Sequence, residues 1–284
     1  MPTIYADPVT IGDLIMNHST GQYPIKCDIL DGWKNTSDLS VIITEQGISD
    51  GAVWGPRFPA KEKYINIGGY YITDDRPSAE AVMDYIVRCI TINQELTLIR
   101  YEPVPKQMTV KLSGPITFDQ PVMEGFRFAC VVVAEDPNKY GLDITSATGT
   151  ASTGKSNGGR SYPRTYPLQY VGTADTGSGT VTINNIGTVS SAPLSRIIGP
   201  ITTGWSLNND TTGERLSFDV SLLDGQVLEI DHKNHTAVVS GANVVATKRG
   251  VWWDLEPGIN NIILSVTEPT PTAQFTITAV SAWR

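Results

Sequence analysis

The sequence predicts a mainly β protein in two parts: an α+β sheet domain with one helix, then an all-β sandwich. Three observations carry this. Apolar residues recur at helical spacing in one conspicuous place only, residues 76–90. Elsewhere they alternate with period two, or form short β-branched runs bounded by Gly, Pro, Asn and Asp. The composition also changes near residue 144. Residues 1–144 hold 12 basic and 19 acidic side chains and 10 Thr, whereas residues 145–284 hold 9, 10 and 21. A chain of 284 residues has room for two domains.

In the first part, strands are expected at Leu39–Thr44, Tyr64–Ile67, Tyr70–Thr73, Thr97–Arg100, Met108–Leu112 and Gly125–Ala134. The run Val131-Val132-Val133 is the densest β-branched stretch in the chain. Asp74-Asp75-Arg76-Pro77 supplies acidic residues and a proline at a helix start. Ala79, Met83, Ile86 and Ile90 then form one apolar stripe, with Val82 and Cys89 alongside, on a helix of about 15 residues. The segment 145–164, which opens TSATGTASTGKSNGGR, is rich in Gly, Ser and Thr and reads as a linker or long exposed loop. The expected division is thus 1–144, a linker at 145–164, and 165–284.

The second part reads as strands and turns. Leu228–Asp231 and Thr236–Val239 flank a turn at His232–His235. Ile262, Leu264 and Val266 share one face of a strand, as do Phe275, Ile277, Ala279 and Trp283. Many short strands at regular spacing imply a sandwich.

Composition excludes several functions. A net charge of -8 argues against a protein that grips nucleic-acid backbones. No apolar run approaches the twenty residues of a membrane span, and the N-terminus has no signal-peptide pattern. Synthesis in a cytoplasm without membrane insertion is expected. Cys27, Cys89 and Cys130 are widely spaced and odd in number, so they read as reduced thiols in packed cores. The charged fraction of 18% is low, which hints at surface committed to protein contacts.

Chemistry-bearing motifs are few. Gly149–Ser156 matches the phosphate-binding pattern G-x-x-x-x-G-K-S, but two Gly and a Pro follow where a helix would have to bind phosphate. It reads as a chance match. His232 and His235 flank a turn and with Asp231 fall short of a metal set, so a solvated turn is expected. Asp74-Asp75 and Glu135-Asp136 read as capping and turn residues. No catalytic, cofactor or metal residues are expected. Trp205, Trp252 and Trp253 are candidate aromatics for a glycan platform or an interface, and of the adjacent pair at most one can be core.

The order of several short segments resembles a known family. It runs through Asp31-Gly32, Asp50-Gly51-Ala52 and Gly68-Gly69, then Phe126-Arg127-Phe128 leading into Ala134–Tyr140. It continues through Gly159–Pro167, Asn185-Ile186-Gly187, Ala192-Pro193-Leu194, Gly199-Pro200 and Thr212-Gly213. Leu228–Asp231, Trp253–Asn260 and Ala282-Trp283-Arg284 complete it. Together these are similar to the distal tail proteins of bacteriophages with long non-contractile tails. The turn His232–His235 departs from that pattern, standing where a basic turn is expected.

The resemblance implies a structural virion protein, not an enzyme, at the distal end of the tail. A first domain would form a ring, usually hexameric, that continues the tail tube and lets DNA pass. A second, galectin-like β-sandwich would project outward. Implied partners are the tail-tube protein, the tail-tip hub or tail-associated lysin protein, and sometimes host-binding tail proteins. The alternative is a carbohydrate-binding β-sandwich protein that aids host-surface attachment. Subunit contacts are expected around Trp54, Arg57, Phe58, Tyr64, Tyr70 and Tyr71, where aromatic, apolar and Gly/Pro residues mix without core periodicity.

Overall fold

The computed structural model describes residues 7–40, 43–45, 52–54, 60–119, 125–152, 179–202, 204–267 and 272–284. The chain divides between Leu142 and Asp143 into two compact units. Among the described residues no helix is long and apolar enough to cross a membrane.

The first unit contains β1 (Val9–Ile11), β2 (Leu14–Met16), β3 (Lys26–Asp31), β4 (Ile43–Glu45), β5 (Ala52–Trp54) and β6 (Lys63–Tyr71). After α1 (Arg76–Cys89) come β7 (Leu96–Arg100), β8 (Lys106–Leu112), β9 (Thr117–Phe118), β10 (Phe126–Ala134) and the start of β11 (Lys139–Thr150). Strands pair antiparallel in the order β3–β6–β10, and β10 meets the last residues of β8. β8 continues to β7, β1 and β2. Their inward residues, among them Ile11, Leu14, Met16, Ile65, Ile67, Leu98 and Val132, close one core with Trp33, just past the end of β3, and with Val82 and Ile86 of the helix.

The helix follows the sequence signals. Asp75 caps it, accepting from the Ser78 amide at 3.1 Å, and Pro77 sits in its first turn. Ala79, Val82, Ile86 and Cys89 are buried. The Gly68-Gly69 pair, expected to separate two strands, instead lies inside one continuous β6. Gly69 pairs with Phe128, and a methyl group there would overlap the Lys26 carbonyl oxygen and stand 2.7 Å from the Phe128 ring. The glycines permit close approach within the strand rather than ending it.

The outer edge of β3 is blunted by a side chain. Asn17, in a left-handed backbone conformation, accepts from the Cys27 amide at 3.0 Å and donates to its carbonyl at 3.1 Å. A register shift between Cys27 and Ile29 bends the same edge.

The second unit takes the rest of β11 and contains β12 (Thr180–Asn185), β13 (Leu194–Ile198), β14 (Ser206–Asn209), β15 (Glu214–Phe218) and β16 (Val227–Asp231). It continues with β17 (Thr236–Val239), β18 (Ala242–Asn243), β19 (Lys248–Gly250), β20 (Gly258–Ser265) and β21 (Gln274–Trp283). One layer runs β18–β17–β16–β13–β21–β11, and the other β12–β20–β14–β15–β19. Ile197, Trp205, Leu207, Phe218, Leu228, Trp253, Ile262, Leu264 and Phe275 fill the interior between them.

The expected linker requires correction at its start. Residues 145–150 are strand, because Ala147, Gly149 and Ala151 alternate inward while Ser146 and Thr148 face outward. Thr148 Oγ1 lies 2.9 Å from Thr276 Oγ1, and the Ala151 amide donates to the Ala273 carbonyl. Threonine favours strands once a neighbour supplies ladder partners. Residues 153–164 fall outside the described residues.

A second correction concerns His232. The expected hairpin forms, but His232 is buried in the sandwich while His235 stays on the turn. Its Nδ1 lies 2.8 Å from the Trp253 carbonyl, which can only accept, so Nδ1 carries the proton. Nε2 therefore accepts from the Ser195 hydroxyl at 3.1 Å. The Trp253 ring is 4.3 Å away, centroid to centroid. Burial, with a smaller push from His235, holds the imidazole pKa down to about 4.

Two outcomes follow from these contacts. Gly69→Ala is expected to destabilise the first unit by about 1–3 kcal/mol, read by chemical denaturation. For His232, the unfolded imidazole gains a proton near pH 6.5 and the folded one only near 4. Stability present above pH 6.5 is therefore lost as pH falls to about 4, by up to roughly 3 kcal/mol. Unfolding midpoints across pH 4–7 should show this slope, and His232→Gln should flatten it.

Candidate functional site: an apolar sheet face

Strands β3, β6 and β10 bury one face and present the other. Because side chains alternate, burying Ile65, Ile67, Phe128, Cys130 and Val132 sends Tyr64, Asn66, Tyr70, Arg127, Ala129, Val131 and Val133 outward. Register sets them in rows: Tyr64 opposite Val133, Asn66 opposite Val131, Gly68 opposite Ala129, and Tyr70 opposite Arg127. Ile29 of β3 lies opposite Gly68, whose missing side chain leaves space for the isoleucine to lean across.

The result is a shallow apolar groove lined by Ile29, Gly68, Pro115, Ala129 and Val131. Tyr64 is 55% exposed and Ile29 46%. The rim is polar. Arg127 pairs with Asp28 and sets its guanidinium 5.9 Å from the Tyr70 ring centre. Lys26 and Asp31 stand exposed at the ends of β3. An apolar centre with a charged rim is the anatomy of a protein–protein contact.

Of the residues expected at contacts, Tyr64 and Tyr70 lie on this face. Tyr71 turns the other way, into an aromatic cluster with Tyr23 at 6.3 Å and Phe126 at 5.9 Å. Trp54 lies in β5, paired through its backbone with Ile43, and Arg57 and Phe58 fall outside the described residues. The sequence reading missed Ile29, Ala129, Val131 and Val133. The signal was present: once Val132 is taken as core, its two neighbours must point away from it.

Trp205, Trp252 and Trp253 supply no open ring platform. Trp205 and Trp253 are each 1% exposed, and their indole N–H groups donate to the carbonyls of Val220 and Leu207. Trp252 is half-buried, with the His235 ring stacked on it at 5.1 Å and 13° and the Lys248 ammonium 5.5 Å away. The Ser195–His232 pair is closed to solvent and meets a backbone carbonyl where a catalytic pair would meet a carboxylate. It is a packing link between strands. Gly149 of the phosphate-loop pattern sits in β11, where a Cβ would lie 2.5 Å from Val181 Cγ2, so packing explains that glycine. Lys155 and Ser156 fall outside the described residues.

The cysteines are free thiols, and all three are buried. Burial pushes Cys27 and Cys130 up to about 11, which leaves both protonated and unreactive. Among the described residues no three His, Cys, Asp or Glu side chains group to hold a metal.

Comparison with known proteins agrees with this architecture. Residues 186–278 match the family model of the siphovirus-type tail component, C-terminal domain. No curated protein matches the chain. Among solved structures, the SPP1 Dit (gp 19.1) protein, presented as a paradigm of the hub adsorption apparatus in phages that infect Gram-positive hosts, superposes with a TM-score of 0.67. That match covers 98% of this chain and 99% of the other at 12% sequence identity. Residues 186–278 are thus similar to the siphovirus-type tail component C-terminal domain, and the chain as a whole has the fold of the SPP1 Dit protein.

Proposed function

We propose that the chain is a structural adaptor at the distal end of a phage tail. Copies assemble through the first unit into a ring, hexameric by family resemblance. The ring joins the tail tube to the tail-tip hub or tail-associated lysin protein and gives DNA a passage. Its role is mechanical and not catalytic. Host-binding tail proteins are a further class of neighbour, and assembly follows synthesis in the host cytoplasm.

The observation that carries this reading is the outward face of β3–β6–β10. It exposes Ile29, Tyr64 and Ala129, with Val131 and Val133 half-buried beside them, in a unit whose inner face already supplies a complete core. Such a surface is stabilised when a neighbour covers it. A ring requires a heterologous contact, in which this face meets a different patch of the next copy. The acidic excess of residues 1–144 supports the passage: carboxylates around a lumen repel DNA phosphates and let the duplex slide. The carbohydrate-binding alternative is weakened by the burial of Trp205 and Trp253 and by the histidine stacked on Trp252.

The test is assembly state. The wild-type chain, alone or mixed with its tail-tube protein, is expected to give closed rings in negative-stain images. Ile29→Glu/Val131→Glu should remain folded by circular dichroism and sediment as a monomer. Rings formed equally well by the double variant would refute the assigned face. A wild-type chain that stays monomeric even with the tube protein would refute the ring.

A further inference from the structure

The β7–β8 hairpin ends in Tyr101-Glu102-Pro103-Val104-Pro105, a tip that is apolar except for one carboxylate. Tyr101 is 41% exposed and Val104 40%, with Pro103 exposed between them. Glu102 turns the other way. Its carboxylate takes Arg100 at 3.3 Å, Lys106 at 2.9 Å and the Trp33 indole N–H at 3.1 Å. The tip's one charge is therefore satisfied at its base, and its outer side is left apolar. Pro103 and Pro105 fix φ on either side of Val104, and the Tyr101 amide donates to the Pro8 carbonyl at 2.9 Å. A turn held in this way loses little freedom when another surface covers it.

The groove on the outer face of β3–β6–β10 matches the tip in kind. Its lining carries no charge, so neither surface strands an unpaired charge when the two meet. Its volume is about 350 Å³. One turn of helix fills on the order of 400–600 Å³. The groove therefore suits a narrow tip better than α1, which exposes Val87 and, just beyond it, Ile92. The chain's own tip is too far away to enter. β8 has Lys106 at the tip and Leu112 opposite Val132, beside the groove, and that length of strand spans about 20 Å. A tip that fills the groove comes from another copy.

We propose that the Tyr101–Pro105 tip of one copy seats in the groove of the next, with Val104 and its flanking prolines covering Ile29, Ala129 and Val131. This rests on the assembly proposed above and names the second patch that a heterologous contact needs. Tip and groove are different surfaces, so every copy offers one of each, and the contact passes from copy to copy until the ring closes.

Disulfide trapping in the full chain tests this, because Cys27, Cys89 and Cys130 are buried while Val104 and Ala129 are exposed. A chain carrying both Val104→Cys and Ala129→Cys, oxidised alone or with its tail-tube protein, is expected to give a ladder of linked copies on non-reducing gels. Neither substitution alone should give one. Val104→Glu should fold as the wild type by circular dichroism and raise the concentration at which rings form by about tenfold or more. Rings that form without linkage of the two introduced thiols, or that tolerate Val104→Glu, would overturn the tip and leave the ring standing. A ladder that stops at two linked copies would uphold the tip and refute the ring. Neither assembly nor linkage, even with the tube protein, would overturn both.

Discussion

The pairing of β6 with β10 is the constraint on which the first unit depends. It runs unbroken from Tyr71 opposite Phe126 to Lys63 opposite Ala134. A strand has two faces, so a ladder of that length commits every side chain on both strands at once. Turning Ile65, Ile67 and Val132 inward closes the core, and the same register sets Tyr64, Val131 and Val133 on the opposite surface. The apolar outer face is therefore tied to the core by geometry. A one-residue slip would empty the core and remake the surface together. Gly68 and Gly69 are part of this arrangement: they let β3 approach from one side and the Phe128 ring from the other.

The second unit solves a different problem. Its two layers meet over an interior in which Trp205, Trp253 and Phe218 supply most of the aromatic bulk. Polar atoms taken into that interior are placed against specific partners: both indole N–H groups reach backbone carbonyls, and His232 ties the Trp253 carbonyl to Ser195. Burial without partners would cost more than the packing returns. These contacts explain why the aromatics, which in a sequence resemble a binding platform, serve as internal mass.

Much of the fold was legible because local signals agreed with tertiary ones. Asp75 and Pro77 marked the helix start, and the spacing of Ala79, Ile86 and Ile90 marked its buried side. The hairpin around residues 232–235 was readable from its flanking β-branched runs. Three features were not. The Thr-rich strand from 145 to 150 looked like linker because its inward residues are only Ala and Gly, too small to register as an apolar stripe. Gly68-Gly69 looked like punctuation because close approach of another backbone leaves no trace in a single sequence. His232 looked exposed because its partners, Ser195 and Trp253, are 37 and 21 residues away. The apolar outer face was half legible. Tyr64 and Tyr70 stood out as aromatics without a core period, while Val131 and Val133 were hidden within a run that looked wholly interior.

The amide of Asn17 has a wider meaning. By occupying both backbone groups of Cys27, it spends the hydrogen bonds that an incoming strand would need at that point of β3. Sheets that grow by adding strands have no built-in stopping point, and a chain that assembles into the ring proposed above would be exposed to that failure. Here the open edge is closed off while the adjoining face stays available. In the proposed ring, copies would be steered away from backbone pairing, which accepts almost any sequence, and toward side-chain fit, which accepts few. Assembly to a finite object instead of a fibre would then rest on one asparagine as much as on the surface where the subunits meet.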